Sequence, residues 1–196
     1  MNESKRFYLN KIAIAGILFA VLSSLTALIL FRFCGGTYYN NDDILMRSIA
    51  EGTFTGTPDG HLIYEMYVLG SLIAGLYKCF PQVNWYDLVA IGFHIVSVSV
   101  IAVGIGLCSK GRTKQTVISV ISYTLTMGID ASMMVNSKFT VVSAMLFSAG
   151  IVCFVVWIRE KIVLYPILSI FFLTCSLLYI RYTECEPLEP QTLTLK

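Results

Sequence analysis

Hydrophobic positions collect in long runs that contain no Asp, Glu, Lys or Arg. A helix needs about 20 apolar residues to cross a hydrocarbon core about 30 Å thick, so such runs are the units to find. Four are long enough: 12–31, 88–109, 139–158 and 162–180. A fifth, 115–137, is interrupted only by Asp130. The stretch 61–80 would span only if Glu65 and Lys78 sat at its two ends. Lys5, Arg6 and Lys11 precede the first run, but its length exceeds the roughly 7 to 15 residues of a signal-peptide core. Arg32 and Phe33 also occupy the place where small residues would prepare cleavage, so the run reads as a retained helix.

Whether 61–80 crosses decides the topology. If it does, with a cytoplasmic N-terminus, both the Lys110, Arg112, Lys114 cluster and the Arg159, Lys161 pair face outward, against the positive-inside tendency. If it does not, all three basic clusters are cytoplasmic. The expected architecture is therefore an all-α polytopic membrane protein with about five transmembrane helices, at 12–32, 88–109, 115–135, 139–158 and 162–180. One interfacial or re-entrant helix, 61–80, lies in an outer loop, 33–87. Pro58, Asp59 and Gly60 give it a start signal, Pro81 a stop, and Tyr64, Tyr67, Tyr77, Trp85 and Tyr86 supply rings suited to the headgroup level. Residues 181–196, with two prolines and three glutamates, read as a flexible tail.

Composition agrees. The 196 residues are 56% hydrophobic and 13% charged, with mean hydropathy +0.74, against about 25% charged in a soluble domain. That leaves too little polar surface to cover a soluble core, and it excludes disorder. Fourteen Lys and Arg against 12 Asp and Glu give a net charge of +2, with no basic cluster dense enough to track a nucleic-acid backbone. No CxxC pair occurs among the six cysteines. Cys108, Cys153 and Cys175 lie within or at the ends of apolar runs, where a thiol packs as a small hydrophobe.

Candidate chemistry concentrates directly after the first span, in Gly35-Gly36-Thr37-Tyr38-Tyr39-Asn40-Asn41-Asp42-Asp43. Two adjacent carboxylates at a membrane surface can share a divalent cation such as magnesium or manganese. Alternatively, one can act as a base while its neighbour raises its basicity. Asn40 and Asn41 could hydrogen-bond a sugar or phosphate. The plainer alternative is an N-cap for a short helix beginning near Ile44. Asp59, His61 and Glu65 stand at the start of the surface helix, where His61 and Glu65, four apart, would share a face. Asp130 falls in the outer half of its span, where an ionisable group faces a cavity or a partner unless the helix ends near Gly128. His94 is expected to hydrogen-bond between helices while neutral, with proton shuttling as the alternative.

A first helix, an acidic motif in the first outer loop, an amphipathic surface helix and a second span returning to a basic turn together resemble the N-terminal part of the GT-C integral-membrane glycosyltransferases. The matching positions are Asp42 and Asp43 in NNDD. The stretch 58–77 (PDGHLIYEMYVLGSLIAGLY) is similar to the Pro-led surface helix that follows the motif in many members. The resemblance implies transfer from a sugar carried on a polyprenyl phosphate at the outer leaflet of the plasma membrane. Asp42 and Asp43 would be base or metal ligands, Arg47 and Lys78 would meet the lipid phosphate, and Asn41, His61 and Asp130 would bind substrate. GT-C enzymes usually have more spans, so this chain would correspond to a shortened form. The competing expectation is a non-enzymatic polytopic protein, a transporter, flippase or assembly subunit with a membrane-protein partner. Gly104 and Gly106 would then allow close helix contact, and Asp130 with His94 would mark a polar path.

Overall fold

The computed structural model describes residues 3–35, 37–38, 41–63 and 65–179. Its helices are α1 (Glu3–Cys34), α2 (Asn41–Glu51), α3 (Tyr67–Cys79), α4 (Trp85–Leu107), α5 (Arg112–Val135), α6 (Phe139–Glu160) and α7 (Leu164–Leu178). Two short strands, β1 (Thr37–Tyr38) and β2 (Asn136–Ser137), pair in parallel. Stretches of α1, α4, α5 and α6, namely Lys11–Cys34, Trp85–Leu107, Arg112–Met134 and Phe139–Glu160, are long and apolar enough to cross a membrane. The chain is an all-α polytopic membrane protein.

The fifth expected span, 162–180, is shorter in the structure. Lys161 takes a left-handed conformation (φ 54) that closes α6, and α7 then runs for 15 residues. At 1.5 Å per residue that is about 22 Å, less than a full hydrocarbon core. Pro166 stands in its first turn, where the missing N–H costs no helical bond. The α6–α7 hairpin is stapled by hydroxyls: Ser143 Oγ donates to the Ser176 carbonyl (3.0 Å), Ser176 Oγ to the Ser143 carbonyl (3.0 Å) and Ser169 Oγ to the Gly150 carbonyl (2.9 Å). The expected flexible tail lies outside the described residues.

Helix direction follows from a few contacts. Lys11 and Ile12 of α1 line one depression with Arg112, Gln115 and Thr116 of α5, while further along Phe19 stacks on Tyr123 at 4.8 Å and Ser23 donates to its hydroxyl, so α1 and α5 run the same way. The central helix α4 packs against α1, α5 and α6. Gly104 and Gly106 pass neighbours closely: a Cβ there would lie 2.3 Å from Val152 Cγ1 and 1.9 Å from Ser119 Oγ. At one end, Lys11, Arg112 and Gln115 line one depression with Val103 and Leu107. At the other, β1 meets β2, and the chain between α1 and α4 folds back on itself. These are called the basic end and the loop end below.

The surface helix is shorter than the sequence suggests. Residues 61–63 and 65–66 are not helical, and α3 starts only after Met66 (φ −67, ψ 142). The cause is a close backbone crossing. A Cβ on Gly60 would lie 2.6 Å from Ser71 Cα and N, and one on Gly70 would lie 2.2 Å from the Gly60 carbonyl oxygen. This strap is drawn onto α3 and sealed by Leu62, which is fully buried. The Met66 N–H donates to the Leu178 carbonyl at 2.9 Å, fastening the strap to the end of α7. With 13 residues, α3 spans about 20 Å, less than a hydrocarbon core about 30 Å thick, which suits the expected placement of this helix at the surface. Thr57 and Gln82 flank this region and are both exposed. Single cysteines placed there in a cysteine-free background should react equally with an impermeant maleimide added to one side of the membrane. Labelling of one with protection of the other until lysis would overturn this topology.

Candidate functional site

Asp42 and Asp43 fall in the first turn of α2, where the helix dipole favours negative charge. The turn separates their roles. Asp42 is half-buried, while Asp43 is fully buried and points into the protein. Asp43 Oδ1 accepts from the Tyr86 hydroxyl and from the Phe139 N–H, both at 3.2 Å. Phe139 is the first residue of α6, so Asp43 satisfies one of the free N–H groups of a helix 96 residues away. Burial raises the Asp43 pKa, an effect opposed by the Phe139 N–H, the Tyr86 hydroxyl and Lys138 and reinforced by Asp42. Asn41 opens α2, but its side chain lies outside the described residues.

Glu65 completes this buried cluster. It has no exposed surface, and neither carboxylate oxygen has a hydrogen bond. Burial pushes its pKa up to about 8, with the Asp43 charge adding to the rise and the Tyr86 hydroxyl opposing it. Tyr179, just past α7, is buried beside it and its hydroxyl is also unbonded. The floor beneath is firm. The Tyr77 hydroxyl donates to Asn84 Oδ1 (2.9 Å) and accepts from the Tyr86 N–H (3.2 Å). Asn84 caps α4, its side chain also bonding Asp87. Trp85 Nε1 donates to the Phe80 carbonyl at 2.9 Å.

A second polar pair lies deeper. His94 Nδ1 of α4 meets the Asp130 carboxylate of α5 at 2.9 Å, each side chain 1% exposed. The alternative in which α5 ends near Gly128 does not hold, because the helix continues to Val135. The expected hydrogen bond between helices at His94 is present. Among the described residues, the buried carboxylates and histidine (Asp43, Glu65, His94 and Asp130) all lie in the half of the bundle nearer the loop end.

Other candidates do not converge on this cluster. His61 is exposed, pairs with Asp59 at 2.6 Å and packs against the Tyr67 ring. Its expected shared face with Glu65 is absent because no helix joins them, and Glu65 turns inward instead. Arg47 pairs with Glu51 at 3.2 Å, and Lys78 is exposed in the last turn of α3. Asp42 and Asp43 do not present a joint ligand pair, since Asp43 is taken up by Tyr86 and Phe139. Among the described residues no three His, Cys, Asp or Glu side chains gather as a metal site would need.

Fold and site together define a multi-pass α-helical membrane protein in which, among the described residues, the buried carboxylates and histidine lie toward one end. Comparison of the chain with protein families, with curated proteins and with solved structures finds no match.

Proposed function

We propose that the chain is a glycosyltransferase-like membrane protein that engages a polyprenyl-linked sugar at the outer leaflet of the plasma membrane, with its N-terminus cytoplasmic. The observation that supports this reading is the division of labour in the first turn of α2. Asp43 is anchored into α4 and α6, and this holds the half-exposed Asp42 beside the point where α1 leaves the bundle. A lipid-linked donor presents its headgroup at that depth, and a carboxylate there can take the proton of an attacking hydroxyl. Arg47 and Lys78 would meet the phosphate, and Asn41 and His61 would contact the sugar from the same loop. Asp130, bonded to His94, would act only from beneath. The orientation rests on the basic residues at the opposite end.

The test is transfer from a radiolabelled polyprenyl-phosphate sugar in membranes. General-base catalysis contributes about 10²- to 10⁴-fold, so Asp42→Asn should lose activity on that scale at unchanged protein level. Asp43→Asn should lose activity by misplacing the turn. Equal transfer by wild type and both variants would remove the proposal. The buried His94–Asp130 pair favours one second reading, a non-enzymatic transport or assembly component. Recovery of a stable complex with another polytopic protein, without transfer activity, would support that reading instead.

A further inference from the structure

Four buried oxygens meet at the loop end without a hydrogen bond: Asp43 Oδ2, both carboxylate oxygens of Glu65 and the Tyr179 hydroxyl. They belong to three separate pieces of chain, and the Tyr86 hydroxyl between them already donates to Asp43. The groups facing Glu65 are Asp43 from α2, Tyr86 from α4 and Tyr179 from the end of α7. Behind Asp43 stand Asp42 and Lys138. Two carboxylates so placed cannot both be charged cheaply. A proton on Glu65 turns an unbonded acceptor into a donor for Asp43 or Tyr179, and it satisfies two orphan atoms at once.

Three fastenings of the strap that carries Glu65 stand out among the described residues. Leu62 is its buried apolar anchor, the Asp59 N–H donates to the Ile49 carbonyl (3.2 Å), and the Met66 N–H donates to the Leu178 carbonyl. We propose that the neutral Glu65 carboxyl is a proton-held latch, which keeps the strap closed over α2, α4 and α7 and releases it when the proton is lost. The proposal does not depend on glycosyl transfer.

The sign follows from linkage. Closed, Glu65 holds its proton up to about pH 8; open in water, it returns toward its ordinary 4.5. The closed form is therefore fully favoured below the open-state value. Its advantage falls as pH rises, tenfold per pH unit, until the closed-state value is passed.

The experiment is hydrogen exchange of the full chain in lipid nanodiscs from pH 5 to 9.5, corrected for intrinsic exchange and read at the amides of Leu62 and Met66. The wild type should show an opening equilibrium that climbs about tenfold per pH unit and levels off near pH 8, while Glu65→Gln should give a flat profile. Asp43→Asn carries the test if Glu65→Gln fails to fold: without the facing charge the climb should level off at lower pH. A wild-type profile independent of pH, an equal slope in Glu65→Gln, or an unchanged plateau in Asp43→Asn would each overturn the latch.

Discussion

His94→Leu is expected to destabilise the bundle by about 3 kcal/mol, Asp130→Leu by only about 1 to 2, and the double variant by less than His94→Leu alone. The asymmetry comes from what each change leaves behind. Without His94, a carboxyl group that is 1% exposed between α4 and α5 is left in an apolar interior without its partner. Insertion scales put the upper bound near 2.5 to 3.5 kcal/mol. Without Asp130, the imidazole loses one hydrogen bond, at a cost of about 1 to 2 kcal/mol, within the range for an unsatisfied buried polar group. Neutral hydrogen bonds between membrane helices average about 0.6 kcal/mol, so simple loss of a bond cannot account for the larger figure. Unfolding in mixed detergent micelles, followed by circular dichroism, measures all three. Strictly additive costs in the double variant would show that the two side chains act independently.

Gly70→Ala should cost about 2 to 3 kcal/mol, near the top of the range for overpacking. The added methyl would lie 2.2 Å from the Gly60 carbonyl oxygen, and a backbone atom cannot rotate aside as a side-chain tip can. Relief requires lifting the strap, so Leu62 and Glu65 would lose their burial with it. Gly75 provides the control in the same helix, because nothing lies within 4 Å of a Cβ there. Gly75→Ala should be stabilising by about 0.5 to 1 kcal/mol through helix propensity alone. Equal stabilisation by the two substitutions in thermal unfolding would remove the close crossing as the reason for the strap.

The spans were legible because a lipid-crossing helix is encoded locally. The absence of charge over about 20 residues marks α1, α4 and α6, and α5 apart from Asp130, without any knowledge of their neighbours. Their ends were less legible. Helix α1 extends back to Glu3, past the Lys11 that closes its charge-free run, because a helix can continue beyond the hydrocarbon into water. Helix α4 begins at Trp85, ahead of Leu88, because Asn84 caps it and Asp87 suits its first turn. The sequence suggests helix for the strap because its apolar residues suit either state, whereas the deciding contact, Gly60 on Ser71, is a matter of backbone clearance rather than hydropathy.

Candidate residues follow the same division. The Asp42–Asp43 pair and Asp130 stood out as charges at or within the membrane boundary. Asp130 met its partner His94 at a distance of 36 residues, which no local pattern reveals. Glu65 was noticed only as a neighbour of His61, since a single acid after a turn reads as solvated. Its flanking Leu62, Ile63 and Met66 were the one local sign that it would be carried inward. Tyr86 has the local pattern of a headgroup ring and nothing local marks Tyr179, because the carboxyls they face come from elsewhere in the chain.

The bond from the Phe139 N–H to Asp43 also sets an order of assembly. Its two ends are 96 residues apart, and synthesis proceeds at about 5 to 20 residues per second. Roughly 5 to 20 seconds therefore separate the emergence of the acidic turn from that of the helix end it caps. Throughout that interval α1 and α4 can already lie in the bilayer, while α2 has neither its α6 partner nor the β1–β2 pairing. The strap waits longer still, until Leu178 arrives to receive Met66. The first loop of the nascent chain is thus among the last parts to become native.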